Sequence, residues 1–153
     1  MIVYRLSKSA HAGDLSGIGA EKCGARWNGK GVPMLYTSES RALCTTEIAV
    51  HTPLGNIPVD YKLISIEIPG EVKIATLKVI ELPMDWRQLP YSHSTQRLGD
   101  RFVKEGRFLV LKVPSAVVEG EHNYLINPNH KDFKRIQIVS INSFTFDERL
   151  FVR

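Results

Sequence analysis

Residues 61–68 read YKLISIEI, a stretch in which Ile64, Ile66 and Ile68 alternate with the side chains of the opposite face. Side chains two residues apart lie on the same face of a strand, so this spacing predicts a β-strand with an apolar face. Other apolar or β-branched runs, bounded by turn-forming residues, predict further strands. These are residues 2–6, 32–37, 108–113 and 135–141, with one short strand within residues 72–82.

Two helices are predicted between these strands. Residues 40–51 combine apolar residues with good helix formers, and Ser38 or Ser40 can cap the first turn. Residues 94–105 carry apolar side chains at helical spacing, and Gly106 is placed to end that helix. The Gly- and Ser-rich stretch after the first strand predicts a long loop with room for one helical turn.

Length and composition favour one soluble domain. The chain has 153 residues, of which 43% are hydrophobic and 24% charged. We expect a single α+β (mixed α/β) domain over residues 1–153, richer in strand than in helix. No apolar run approaches the roughly 20 residues that span a bilayer, and the start MIVYRLSKSA lacks the apolar stretch of a secretory signal. A cytoplasmic protein without membrane association is therefore expected.

The charge of the chain is compatible with an anionic partner, because the net charge is +4 and the isoelectric point is about 9.1. Basic residues are scattered rather than gathered in a stripe with aromatic residues, so no specific nucleic-acid binding is predicted. Cys23 and Cys44 are too widely separated for a zinc ribbon and are predicted to be free thiols. The five histidines lack metal-ligand spacing, so no metal is expected.

Four residues in the first third of the chain are candidates for a functional site: Arg5, Arg26, Tyr36 and Glu47. Arg5 interrupts an apolar strand, where a buried guanidinium needs an anionic or polar partner. Each of the four taken alone also has a structural interpretation, such as a strand-end ion pair for Arg5 or a helix-surface carboxylate for Glu47. Standard phosphate-loop, dinucleotide and nucleophile-elbow motifs are absent from the sequence. The residue types alone leave both interpretations open.

Taken in order, however, these residues lie in motifs that resemble the RES domain, which is named for its Arg, Glu and Ser. The motifs are Tyr4-Arg5-Leu6, Gly24-Ala25-Arg26-Trp27-Asn28, Leu35-Tyr36, Glu47, Leu98-Gly99-Asp100-Arg101-Phe102, Val113-Pro114-Ser115 and Asn123-Tyr124-Leu125-Ile126-Asn127-Pro128. The resemblance continues to Arg149-Leu150-Phe151 and so covers essentially the whole chain.

RES proteins are toxins of bacterial toxin-antitoxin pairs, and the family is similar in fold to NAD-dependent ADP-ribosyltransferases. The resemblance therefore implies that NAD is a substrate, cleaved between nicotinamide and ribose, with the ADP-ribosyl group passed to water, phosphate or a protein. The family's named residues correspond to Arg26, Glu47 and Ser115, and its further pocket residues to Arg5 and Tyr36. In the wider transferase pattern the catalytic glutamate lies on a strand, whereas Glu47 is predicted to lie on a helix.

The resemblance suggests a role for each residue. A carboxylate near the ribose stabilises a developing ribosyl cation, which is the role expected of Glu47. Guanidinium groups suit a diphosphate, so Arg26 and Arg5 are expected to bind it. Tyr36 offers a flat ring to nicotinamide and a hydroxyl to a polar partner. Ser115 is expected to hold the carboxamide or a phosphate oxygen.

The resemblance also implies a protein partner, an Xre-type antitoxin that binds DNA and covers the toxin's site, and it leaves room for a homo-oligomer within that complex. Two alternative functions remain open at this point. One is an ADP-ribosyltransferase that modifies a single protein target. The other is an RNA-binding or ribonuclease toxin, for which the basic isoelectric point and His122 are the supporting features.

Overall fold

The computed structural model describes residues 1–152, which form one mixed β-sheet flanked by three α-helices. The strands are β1 (Ile2–Lys8), β2 (Leu35–Ser38), β3 (Tyr61–Glu67), β4 (Ile74–Thr76), β5 (Val110–Pro114), β6 (His122–Ile126) and β7 (Gln137–Phe144). Their order across the sheet is β4-β5-β6-β2-β1-β3-β7. Neighbouring strands are antiparallel except for β4 and β5. The predicted mixed α+β class is confirmed.

The helices are α1 (Ile18–Cys23), α2 (Arg41–His51) and α3 (His93–Glu105), and short 3₁₀ turns occur at Ser9–His11, Val79–Glu81, Phe133–Arg135 and Glu148–Leu150. Of the two serines proposed as the cap of α2, it is Ser40 whose Oγ accepts a hydrogen bond from the Leu43 amide at 3.0 Å. Gly106 ends α3 in the left-handed conformation, as predicted. None of the helices described has the length and hydropathy of a membrane span.

The predicted apolar face of β3 is buried, and its opposite face is covered as well. Ile64 and Ile66 are fully buried in the main core cluster. On the opposite face Leu63 packs in a second cluster with Phe146 and Phe151, against residues of α2. The C-terminal segment supplies these aromatic side chains from a distance in sequence that strand periodicity does not reveal.

Several boundaries differ from the predictions. β2 begins at Leu35 rather than at residue 32, because the preceding segment is held in a loop in which the Asn28 side chain donates to the Val32 carbonyl at 3.0 Å. β6 was not predicted, since its first half is polar, yet it lies in the centre of the sheet between β2 and β5. Residues 72–82 hold only the three residues of β4 and a 3₁₀ turn.

Candidate active site

A cleft of about 580 Å³ opens where β1, β2, α2 and the start of β6 meet. Arg5, Arg26, Tyr36 and Glu47 all line it, so the structure brings four of the five predicted site residues together. Ser115 follows β5 and does not line the cleft; it reaches the site through a hydrogen bond to Glu47. The volume falls within the range of ordinary small-molecule sites, about 300 to 1,000 Å³.

Glu47 is held in one orientation. It lies on α2, and its Oε1 accepts hydrogen bonds from Ser115 Oγ at 3.0 Å and from Asn123 Nδ2 at 2.7 Å. No donor within residues 1–152 reaches its other oxygen, Oε2. Two donors on one oxygen immobilise the carboxylate and leave the second oxygen available to a ligand in the cleft.

The two donors are themselves fixed. Ser115 is 1% exposed, and its Oγ accepts hydrogen bonds from the Val117 and Val118 amides at 3.1 and 3.0 Å while it donates to Glu47. Asn123 lies on β6 opposite Ser38 of β2, whose hydroxyl donates to Asn123 Oδ1 at 2.8 Å. Both side chains therefore position the carboxylate.

Asn123 was not among the predicted site residues, although it belongs to one of the quoted motifs. A signal existed in the sequence, because pairing of its segment with the Tyr36 strand would place an amide beside the predicted pocket. That pairing depends on recognising β6, which the polar start of the strand obscured.

Arg26 contacts the loop of residues 86–91, which lines the opposite side of the cleft. Its Nη1 donates to the carbonyl of Trp86 at 2.5 Å and to that of Gln88 at 3.4 Å, and its guanidinium lies 5.2 Å from the ring centre of Tyr91. Burial lowers the pKa of Arg26, and the nearby carboxylate of Glu47 opposes that change. Arg26 therefore links the loop that carries it to residues 86–91 on the other side of the cleft.

Tyr36 presents its ring rather than its hydroxyl to the cleft. The hydroxyl donates to Asn28 Oδ1 at 2.7 Å and accepts from the Trp27 amide at 3.1 Å. Burial raises the pKa of Tyr36, so the group is a neutral phenol. With both hydrogen-bonding functions used within the protein, the ring face is what remains for a ligand.

Arg5 and Cys44 complete the inner wall. Arg5 Nη1 donates to the main-chain carbonyl of Asp14 at 2.9 Å, which supplies the polar partner that the sequence required. Burial lowers the pKa of Arg5, while the Asp14 carboxylate counteracts this. Burial also raises the pKa of Cys44 to about 12, so this thiol is not a thiolate near neutral pH. Among the described residues, no group of three or more His, Cys, Asp or Glu side chains could hold a metal ion.

A sequence profile of the RES domain matches residues 2–147. The chain belongs to the RES family. Over 147 residues it is 37% identical to the "Prs ADP-ribosylating toxin" of Sphingobium sp. (strain YBL2), covering 94% of this chain and 91% of that protein. A protein named "Toxin Res" from Photorhabdus laumondii is 38% identical over 152 residues, covering 98% of this chain and 97% of the relative.

The fold of this RES chain also occurs in a solved structure, that of the M. tuberculosis MbcT-MbcA toxin-antitoxin complex. The two chains superpose with a TM-score of 0.72 at 20% sequence identity, over 98% of this chain and 86% of the other. At that identity the likeness establishes the fold.

Two of the RES motifs depend on each other structurally. The motif at residues 24–28 forms the loop that carries Arg26, and the motif at residues 98–102 lies on α3 beneath it. Asp100 Oδ1 accepts a hydrogen bond from the Gly29 amide at 2.9 Å, and Gln96 Nε2 donates to the Ala25 carbonyl at 3.0 Å. Gln96 and Asp100 of α3 therefore support the arginine loop, residues 24–29, without entering the cleft.

Gly99 allows this contact. A Cβ atom at Gly99 would lie 1.6 Å from the Trp27 carbonyl oxygen, whereas contacts under 3.0 Å are essentially never seen. The helix and the arginine loop can approach this closely only because residue 99 lacks a side chain.

Proposed function

We propose that this RES protein is a toxin that cleaves NAD at the bond between nicotinamide and ribose. The observation that carries the proposal is the immobilised Glu47 carboxylate, whose Oε2 is available in the same cleft as an aromatic face and several guanidinium groups. The name "Prs ADP-ribosylating toxin" of one relative supports an activity that consumes NAD, and the name "Toxin Res" of another supports the role of a toxin. NAD would be the substrate and no additional cofactor is proposed.

In this mechanism Glu47 stabilises the cation that forms as the bond breaks. The nicotinamide ring of NAD carries a positive charge, so it departs with the bonding electron pair as a neutral molecule and needs no proton. The ribose carbon is left with oxocarbenium character, which a fixed carboxylate stabilises without reorganising. When water or another hydroxyl then attacks, the same carboxylate can accept its proton.

The other residues would bind and orient the substrate. The Tyr36 ring offers a stacking surface to nicotinamide, and Arg5 and Arg26 contribute positive potential for the diphosphate. Ser115 would act by orienting Glu47 rather than by touching the carboxamide or a phosphate oxygen, since it is buried behind the carboxylate.

The acceptor of the ADP-ribosyl group is decided by incubating purified protein with NAD alone, with and without inorganic phosphate, and identifying products by mass spectrometry. Free ADP-ribose would indicate hydrolysis, and a phosphorylated ADP-ribose would indicate phosphorolysis.

The name of the Sphingobium relative favours a second candidate, transfer to a protein. Failure to release nicotinamide from NAD alone, with release restored by a cell lysate, would support transfer. RNA decay without NAD loss would contradict both.

An antitoxin partner is part of the proposal, because the solved structure with the same fold is a toxin-antitoxin complex. We propose an antitoxin of the Xre type that covers the cleft, with the toxin acting in the cytoplasm. Adding the purified antitoxin should then suppress NAD consumption at a fixed molar ratio.

Replacing Arg26 with lysine should raise the KM for NAD by about tenfold. Lysine keeps the positive charge, but it lacks the planar guanidinium group that contacts the Trp86 and Gln88 carbonyls and the Tyr91 ring. Steady-state kinetics of nicotinamide release measure this effect. Arg107→Lys, at an exposed position after α3 and away from the cleft, is the matched control. An unchanged KM would show that Arg26 does not contribute to substrate binding.

Replacing Ser115 with alanine should lower kcat by roughly tenfold, with a much smaller change in KM, because one of two hydrogen bonds that orient Glu47 is removed. The exposed Ser143 of β7 provides the control, Ser143→Ala. If the KM rises and kcat is retained, Ser115 contacts the substrate and the positioning role is wrong.

A further inference from the structure

The outer wall of the cleft contains an arginine that no motif includes. Residues 86–91 form this wall and contribute Arg87, Leu89 and Tyr91 to the lining. The guanidinium of Arg87 lies 4.9 Å from the ring centre of Trp86, a side chain that is 7% exposed and therefore fixed. Arg87 is an exposed residue, and this contact with a buried ring favours a position of its guanidinium at the mouth of the cleft.

The charges that line the cleft are unbalanced. Three guanidinium groups, those of Arg5, Arg26 and Arg87, face one carboxylate, that of Glu47, which leaves an excess of two positive charges. A diphosphate carries two negative charges, so the cleft is electrostatically complementary to it. The histidine at the edge, His51, adds to this excess only when it is protonated.

Among the described residues, Arg87 is the one arginine of the cleft with all of its hydrogen-bond donors free. Arg5 and Arg26 each commit Nη1 to main-chain carbonyl oxygens, whereas Arg87 donates no hydrogen bond to any group within residues 1–152. Arg26 and Arg87 line the same cleft, so their positive charges repel each other, and this repulsion adds to the burial that lowers the pKa of Arg26. An anion bound between them would relieve that repulsion.

We infer that Arg87 binds the diphosphate of the substrate, with Arg26 positioning the loop that carries it. This inference rests on the proposed function, because it assigns a contact within the proposed NAD site. The two arginines then have different roles. Arg26 holds residues 86–91 in place through its contacts with main-chain carbonyls, and the guanidinium of Arg87 donates charge-assisted hydrogen bonds to the diphosphate.

The test is the binding of ADP-ribose, which keeps the diphosphate and lacks the scissile bond, measured by titration calorimetry. Arg87→Gln should weaken binding by about tenfold at low ionic strength, near 50 mM salt, and by less than about threefold near 500 mM salt, where charge is screened. Arg107→Gln removes the same charge at an exposed position after α3, outside the RES motifs and the cleft, and should change the Kd by less than about twofold.

Three results would overturn the inference. The first is an Arg87→Gln protein that binds ADP-ribose like Arg107→Gln. The second is a loss of affinity that does not depend on salt, which would indicate altered loop shape rather than a lost charge. The third is a wild-type protein that does not bind ADP-ribose. Nicotinamide release by the wild type is measured separately. If the wild type releases no nicotinamide but binds ADP-ribose with the salt-dependent contribution of Arg87, the proposed reaction is rejected and the inference about Arg87 stands.

Discussion

A Glu47→Gln protein should fold normally and lose NAD consumption by at least about 100-fold, the usual cost of removing a group that stabilises transition-state charge. Glutamine has the shape of glutamate, and its carbonyl oxygen can still accept the hydrogen bonds that Ser115 and Asn123 donate to Oε1. What disappears is the negative charge beside the ribosyl cation. Nicotinamide release measures the loss, and a thermal melt checks the fold.

The control for this substitution is Glu105→Gln, which makes the same chemical change at an exposed position at the end of α3. It should leave turnover unchanged. A folded Glu47→Gln protein that consumes NAD at the wild-type rate would reject the role of Glu47 and, with it, the observation on which the proposed function rests.

The Gly99→Ala substitution should have the largest effect on stability, lowering the free energy of unfolding by about 3 kcal/mol or more. The added methyl group would lie 1.6 Å from the Trp27 carbonyl oxygen, and that atom belongs to the backbone, so α3 or the arginine loop must move. For a chain of this size the expected fall in melting temperature is roughly 6 to 12 °C.

Gly19→Ala is a matched control for this substitution, because Gly19 is also helical and an added Cβ would meet nothing within 4 Å. It should be neutral or slightly stabilising, since alanine favours helix over glycine by up to about 1 kcal/mol. Equal melting temperatures for the two variants would mean that the packing of α3 on the loop is looser than described. Gly99→Ala should also reduce NAD consumption, because Arg26 is carried by the displaced loop.

Local patterns were sufficient for most of the elements. The alternation of Ile64, Ile66 and Ile68 predicted β3, and helix formers followed by an end signal predicted α2 and α3, because these features act between residues close in sequence. Periodicity did not reveal β6, whose place in the sheet depends on partners far away along the chain. Periodicity also did not reveal that the second face of β3 is covered, because the covering side chains, Phe146 and Phe151, lie far away along the chain.

The cleft divides in a similar way. The order of the RES motifs was enough to nominate Arg5, Arg26, Tyr36 and Glu47, which the fold gathers around one space. The motif order could not reveal that Asn123 and Ser115 both donate hydrogen bonds to Glu47 Oε1. Nor could it reveal that the Tyr36 hydroxyl donates to Asn28 in the arginine loop. Hydrogen bonds between distant segments depend on strand register and loop path.

Chain order and residue type therefore established the family, the kinds of elements and the polar groups available for chemistry. Packing in three dimensions decided which partner each polar side chain contacts and therefore which role it has. Ser115 lies behind the carboxylate, Arg26 holds a loop, and Arg87 is left with free donors at the mouth of the cleft. The physical reason is that a side chain's role depends on which partners satisfy its hydrogen bonds, and those partners come from distant segments, 76 residues away for Glu47 and Asn123.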